Sequence, residues 1–278
     1  MFYKINFQYI VFNEAFKMKV VLFCGGLGMR LRDYSDQIPK PMVNIGYRPI
    51  LWHIMKYYAH FGYTDFILCL GYNADYIKDY FLNYSEAISN DFTLSNSGKS
   101  IKLVQSDIKN WNITFVDTGY SSNIGQRLVS VKEYLKNDEM FFANYSDNLT
   151  DFNLPNLVDN FTNSKNIAGF LCVKPKSYYH FVELGNKDNV EDFYDIKETN
   201  LRINGGYFLF RPSIFDYIKD EEELVFNPFK RLIKEKKLMG YKHDGFWQSM
   251  DTFKDKQILD KLFERSEAPW ELWNSKKK

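Results

Sequence analysis

Gly25-Gly26-Leu27-Gly28-Met29-Arg30-Leu31 follows the apolar run Val20-Val21-Leu22-Phe23 with only Cys24 between. Glycines at the end of a buried strand let the backbone turn tightly and bring its N–H groups close to an anion. Arg30 adds a planar cation that can fork onto phosphate oxygens. Ten residues on, Lys40 stands between Pro39 and Pro41, whose rings restrict the backbone that presents its ammonium. Two common phosphate loops are excluded. No G-x-x-x-x-G-K-[ST] string occurs, and a G-x-G-x-x-G fingerprint begun at Gly26 meets Leu31 at its third glycine. An ordinary strand-to-helix turn is the competing reading of the glycines alone. Pro39-Lys40-Pro41-Met42 at this distance weighs against it.

Two carboxylates stand out as candidates for a divalent cation. Asp147 follows the apolar run Met140-Phe141-Phe142-Ala143, and ligands collect at strand ends in open α/β sheets. Asp251 follows Phe246-Trp247-Gln248-Ser249-Met250, an apolar setting that would hold it rigidly. One or two carboxylates completed by phosphate and water is what Mg²⁺ prefers. On residue type alone, a turn aspartate after a strand explains Asp147 equally well. Other chemistries lack their residues. There is no G-x-S-x-G elbow and no H-E-x-x-H, and His53, His60, His180 and His243 show no ligand spacing. Cys24, Cys69 and Cys172 are odd in number and contain no C-x-x-C pair, which argues against a disulfide framework or zinc and for a reducing cytoplasm.

These residues need a frame, and the apolar pattern supplies one. Strands are predicted at 19–23, 66–70, 113–116, 140–143, 167–173 and 203–210. Helices are predicted from Pro49, around 76–81, over 128–135, and near 212–219, 227–236 and 253–264. Alternation of strand and helix in the first half implies a parallel sheet wrapped by helices. Residues 85–111 read as a polar hairpin insertion. Residues 18–273 are expected to form one domain, with 1–17 as an extension outside the fold and 274–278 as a tail. The 278 residues include 36 basic and 35 acidic side chains, a net charge of +1. No global field draws the chain to nucleic acid, and no apolar run approaches a membrane span, so neither is an expected partner.

The string G-G-x-G-x-R-L followed by P-K-P-M resembles the sugar nucleotidyltransferases. The similarity is strongest to the glucose-1-phosphate cytidylyltransferase branch, through Pro49-Ile50-Leu51-Trp52-His53-Ile54-Met55, Val116-Asp117-Thr118-Gly119, Ile203-Asn204-Gly205-Gly206, His243 to Thr252, and Ala268-Pro269-Trp270-Glu271-Leu272-Trp273. The resemblance implies an α/β, Rossmann-like nucleotide-diphospho-sugar transferase fold: a mostly parallel central sheet flanked by helices, with an inserted smaller β region. It implies a homo-oligomer that joins CTP and a sugar 1-phosphate, glucose 1-phosphate in this branch, to give a CDP-sugar for polysaccharide biosynthesis and pyrophosphate. The same reaction with another nucleotide, sugar or polyol phosphate is the nearer alternative, and a non-catalytic nucleotide-binding homologue the farther one.

By the same resemblance, Phe23, Cys24, Gly25, Gly26, Leu27, Gly28 and Met29 would bind the nucleotide. Arg30 and Lys40 would hold its triphosphate and act in catalysis, and Ser122, Arg127 and Ser146 would contact it. Asp147 and Asp251 would be catalytic and hold Mg²⁺. Asp195, Lys197, Asn204 and Gly205 would bind the sugar phosphate. The sequence departs from the family pattern at three places. The family's E-K-P segment is disturbed at Asp195-Ile196-Lys197. Its G-D-G is Ser146-Asp147-Asn148. Its R-F-G-A-L is His180-Phe181-Val182-Glu183-Leu184, which predicts that Val182 narrows the sugar pocket.

Overall fold

The computed structural model describes residues 18–26, 38–175, 180–196 and 199–274. From β1 (Val20–Phe23) the chain reaches a 3-10 turn, Lys40–Met42, and a short hairpin of β2 (Asn44–Ile45) and β3 (Arg48–Pro49), then α1 (Ile50–His60). β4 (Asp65–Leu70), α2 (Ala74–Leu82), a hairpin of β5 (Phe92–Ser95) and β6 (Ser100–Leu103), and β7 (Asn112–Asp117) follow. α3 (Ile124–Ser130) and α4 (Lys132–Leu135) lead to β8 (Phe141–Asn144), β9 (Asn148–Thr150) and α5 (Leu154–Thr162). The second half runs through β10 (Ala168–Val173), a hairpin of β11 (His180–Leu184) and β12 (Val190–Asp195), and β13 (Ile203–Phe210). It closes with α6 (Asn227–Lys234), β14 (Leu238–His243), β15 (Trp247–Ser249) and α7 (Phe253–Glu264).

Seven strands form the central sheet in the order β14-β10-β13-β8-β1-β4-β7. β8, β1, β4 and β7 are parallel neighbours, as are β10 and β14, and β13 alone runs antiparallel to both of its neighbours. This is the mostly parallel α/β sheet that the sequence implies. Both faces of the sheet's middle are covered, so the central strands β1, β4 and β8 are buried almost throughout rather than alternating. Val20 and Leu22 pack into one core layer, and Val21 and Phe23 into the other.

The expected hairpin insertion is β5–β6, and the short-strand region after β10 is β11–β12. Three elements differ from the sequence reading. α1 is buried on nearly every side, not on one face, because the C-terminal stretch around Trp270 and Trp273 covers what the sheet does not. The helix expected over 128–135 breaks at Val131 into α3 and α4, and the one near 212–219 is a 3-10 turn, Pro212–Tyr217. α5 and β14 had no counterpart in the sequence reading. Residues 1–17 lie outside the described residues.

Candidate active site

β1, β4 and β8 end at the same edge of the sheet, and the chain leaving β1 and β8 lines one cavity of about 370 Å³. Cys24 continues the line of β1, its N–H donating to Cys69 O at 3.0 Å. Gly25 and Gly26 then form part of the cavity wall with Phe23 and Cys24. Beneath them lies Arg127 on α3, 1% exposed. Its Nη1 donates to Leu70 O, Thr118 Oγ1 and Gly119 O at 2.8–3.0 Å. A Cβ on Gly25 would sit 2.2 Å from that guanidinium, so close approach demands glycine here.

After β8 the backbone turns through Ser146, whose φ of 64° is unusual for a residue with a side chain. Asn144 Oδ1 accepts from the Ser146 N–H at 2.8 Å and fixes this turn. The Ser146 hydroxyl faces inward and accepts from Cys24 Sγ at 3.6 Å. The turn delivers Asp147 to the cavity. β15 pairs with β9, Ser249 opposite Asn148, and the Met250 N–H donates to Asp147 O at 2.8 Å. Asp251 thereby emerges beside Asp147. Thr252 and Asp255 form a capping box that starts α7 immediately afterwards.

Lys40 reaches both carboxylates. The buried Pro41 and Met42 anchor its 3-10 turn, and its Nζ donates to Asp147 Oδ2 at 2.6 Å and Asp251 Oδ1 at 2.7 Å. Burial opposes the lysine's charge, but the two carboxylates outweigh it and hold Lys40 above its ordinary pKa. Burial likewise lifts the Asp147 carboxyl above the usual aspartate range, against the pull of Lys40. Two hard oxygen donors meeting at one cationic centre fit Mg²⁺. Among the described residues no group of three or more His, Cys, Asp or Glu could hold a metal, so further ligands would be phosphate or water.

The remaining candidate residues are dispersed. Ser122 Oγ donates to Thr118 O at 2.6 Å, beside the Arg127 cluster, and faces a different hollow between α3 and the 212–217 turn. Asn204 donates from Nδ2 to Tyr145 Oη at 3.1 Å, and its Oδ1 accepts from the Gly206 N–H at 2.9 Å. Gly205 O accepts from Trp247 Nε1 at 2.8 Å. The register between β10 and β13 shifts at this point, a bulge with Gly206 at φ +76°. Asp195 ends the β11–β12 ribbon opposite His180 and is not among the cavity's lining residues. Leu27, Gly28, Met29, Arg30 and Lys197 lie outside the described residues.

Val182 pairs with Phe193 on the ribbon, is 47% exposed, and is not among the cavity's lining residues. Sequence reasoning also missed Tyr145 and Ile124, which line the cavity, and Asn144, which sets the Ser146 turn. Tyr145 and Asn144 carried no signal beyond ending a strand.

The comparisons with known proteins bear on this geometry. Residues 19–255 match the nucleotidyl transferase family. The chain belongs to that family. It is 39% identical over 258 residues to glucose-1-phosphate cytidylyltransferase of Salmonella typhimurium, covering 92% of this chain and 100% of that one. A mannose-1-phosphate guanyltransferase of Candida albicans is 25% identical over 86% of this chain and 62% of its own. Among solved structures, a UDP-glucose pyrophosphorylase complexed with UDP-glucose superposes with a TM-score of 0.65 at 14% identity, over 90% of this chain and 99% of that one. That likeness shows the fold. The chain is a sugar-1-phosphate nucleotidyltransferase similar to the glucose-1-phosphate cytidylyltransferases. No helix among the described residues is long and apolar enough to cross a membrane.

Proposed function

We propose that this nucleotidyltransferase joins CTP and glucose 1-phosphate, releasing CDP-glucose and pyrophosphate. The observation that carries the reading is the Lys40–Asp147–Asp251 cluster in the mouth of the Gly25–Gly26 cavity, in a chain 39% identical to an enzyme of that name. A phosphate oxygen of the sugar phosphate attacks the α-phosphorus of CTP in line. A new P–O bond forms, the bond to the β-phosphate oxygen breaks, and pyrophosphate leaves with the electron pair. No enzyme atom becomes bonded to substrate, so the protein's work is positioning and charge neutralisation.

Asp147 and Asp251 would hold Mg²⁺, which when bound supplies positive charge against the two anionic substrates. Lys40 then turns its ammonium from these carboxylates to the triphosphate, which Arg30 would also hold by the family resemblance. By the family resemblance, Phe23 to Met29 would bind the nucleotide, and of these Phe23, Cys24, Gly25 and Gly26 line the cavity. Ser146 shapes the turn below the ribose. Arg127 supports Gly25 from beneath, and Ser122 supports the Thr118–Gly119 turn that Arg127 also binds. By the family resemblance, Asn204, Gly205, Asp195 and Lys197 would bind the sugar phosphate.

A melting-temperature screen of CTP, dTTP, UTP, GTP and ATP with Mg²⁺, followed by pyrophosphate release with a panel of sugar 1-phosphates, tests the reading. CTP is expected to give the largest stabilisation, and glucose 1-phosphate the highest kcat/KM. A larger shift with another nucleotide would reassign the base, and faster turnover of another sugar phosphate would reassign the acceptor.

A further inference from the structure

A second cavity, of about 400 Å³, opens between α1, the chain on either side of the β5–β6 hairpin and the C-terminal stretch. It shares no lining residue with the catalytic cavity. A buried polar network that the reaction does not use forms its floor. Arg48, 2% exposed, donates to Ser89 Oγ, Tyr80 Oη and Ser85 O at 2.6–3.0 Å. Ser89 Oγ and Tyr84 Oη donate to Asp107 Oδ2 at 2.6 and 2.9 Å, and Tyr84 accepts from Trp52 Nε1 at 2.8 Å. Asp107 Oδ1 is the exception, a buried acceptor with no hydrogen-bond partner among the described residues. Such an atom is costly to leave unmatched, so it points to a donor the chain does not supply. Lys56 is the opposite surplus. Its Nζ donates to Asp107 O at 3.2 Å, and no carboxylate among the described residues pairs with it.

The remaining wall is aromatic, with polar side chains at its rim. Trp52 and Trp273 meet edge to face at 6.0 Å, as do Tyr47 and Phe263 at 5.7 Å. Asp91 and Gln105 are exposed at the rim, with Asn90 beside them. Aromatic faces suit the C–H side of a saturated ring. An ammonium, an amide and carboxylates together suit hydroxyls, each of which donates and accepts. Charge then narrows the ligand. Asp91, Asp107 and Glu271 line the cavity with Arg48 and Lys56, an excess of one negative charge, and burial keeps His53 neutral. An anion would be desolvated beside three carboxylates. A cation would meet Arg48 and Lys56, which already stand 5.7 and 5.8 Å from the Trp52 ring.

We propose that this second cavity binds an uncharged pyranose unit, a saccharide without phosphate. Its ring packs on the aromatic wall, and its hydroxyls donate to Asp107 and Asp91 and accept from Lys56 and Gln105. The volume is that of a small-ligand pocket. Every substrate and product of the reaction proposed above is an anion, so the ligand here is a different molecule.

Saturation-transfer NMR on the full chain tests this, with the methyl α-D-pyranosides of glucose, galactose and mannose as probes. At least one is expected to receive saturation at its ring protons. Tyr47→Ala, Asp91→Ala and Gln105→Ala are each expected to weaken that binding about three- to tenfold, the scale of one lost contact. All three positions are exposed, so far-UV circular dichroism is expected to stay unchanged. Asn204→Ala, beside the catalytic cavity, is expected to leave the binding as it is. Methyl α-D-glucuronopyranoside, the glucose ring with a carboxylate added, is expected to bind more weakly than the glucoside. Absence of transfer to all three glycosides would overturn the proposal. So would binding that the three rim variants leave intact, binding that Asn204→Ala abolishes, or tighter binding of the glucuronide.

Discussion

Replacing Asp147 or Asp251 by asparagine removes one charge from the pair that Lys40 joins, with little change of shape. Turnover is expected to fall by about 10²–10³-fold or more for each variant, the scale of losing one preorganised electrostatic group. Circular dichroism is expected to report an intact fold. Near-normal pyrophosphate release by both variants would remove these carboxylates from the chemistry. Gly25 is the second test, because Arg127 leaves no room above it. Gly25→Ala drives a methyl group into a guanidinium held by three acceptors, and is expected to cost about 1–3 kcal/mol in urea denaturation. Combined with Arg127→Ala, the loss is expected to be less than additive, since the two residues share one clash. Simple additivity would show that the guanidinium moves aside.

α1 owes its place to both ends of the chain, and His53 records this. Its Nε2 is 3.0 Å from Ile45 O, and Trp270 Nε1 donates to its Nδ1 at 3.3 Å. Both nitrogens are thus used by the neutral ring with hydrogen on Nε2. Burial is the main cause that pushes the His53 pKa down to about 4, from an ordinary 6.5. The unfolded chain therefore takes up a proton first as pH falls. Stability from this residue is full above pH 6.5 and declines through the window down to about pH 4, by about 3 kcal/mol in total. Urea denaturation at pH 7 and pH 5 should show the loss, and His53→Gln should flatten that slope. An unchanged slope would contradict the neutral assignment.

How much of this was legible in the sequence follows from the same packing. β1, β4, β8 and β10 are short apolar runs bounded by glycines or polar residues, and their burial on both faces made them readable. α5 was not readable, because Pro155 in its first turn reads equally as a loop, and only Leu154, Leu157 and Phe161 face inward. β14 lies at the sheet's end with no fully buried residue, and Gly240, Lys242 and His243 interrupt any apolar run. In the site, residue types were legible and their meeting was not. Lys40 lies 107 positions from Asp147 and 211 from Asp251, so only the folded sheet brings the three together. Val182 marks the opposite case, where family spacing points to a pocket and the side chain stands exposed on the ribbon, outside the cavity's lining.

For the molecule as a whole, a seven-stranded sheet with two buried layers carries the Lys40–Asp147–Asp251 cavity at the ends of its parallel strands. The near-zero net charge assigns attraction for two anionic substrates to local groups and not to a global field. The central claim is that these groups serve the reaction proposed above. Phosphorus-31 NMR of the purified chain with CTP, glucose 1-phosphate and Mg²⁺ tests that claim most directly. CDP-glucose and pyrophosphate are expected to appear in equal amounts as CTP disappears, and a chelator is expected to stop the reaction. CTP and glucose 1-phosphate persisting unchanged, while another nucleotide or sugar phosphate is consumed or none is, would contradict it.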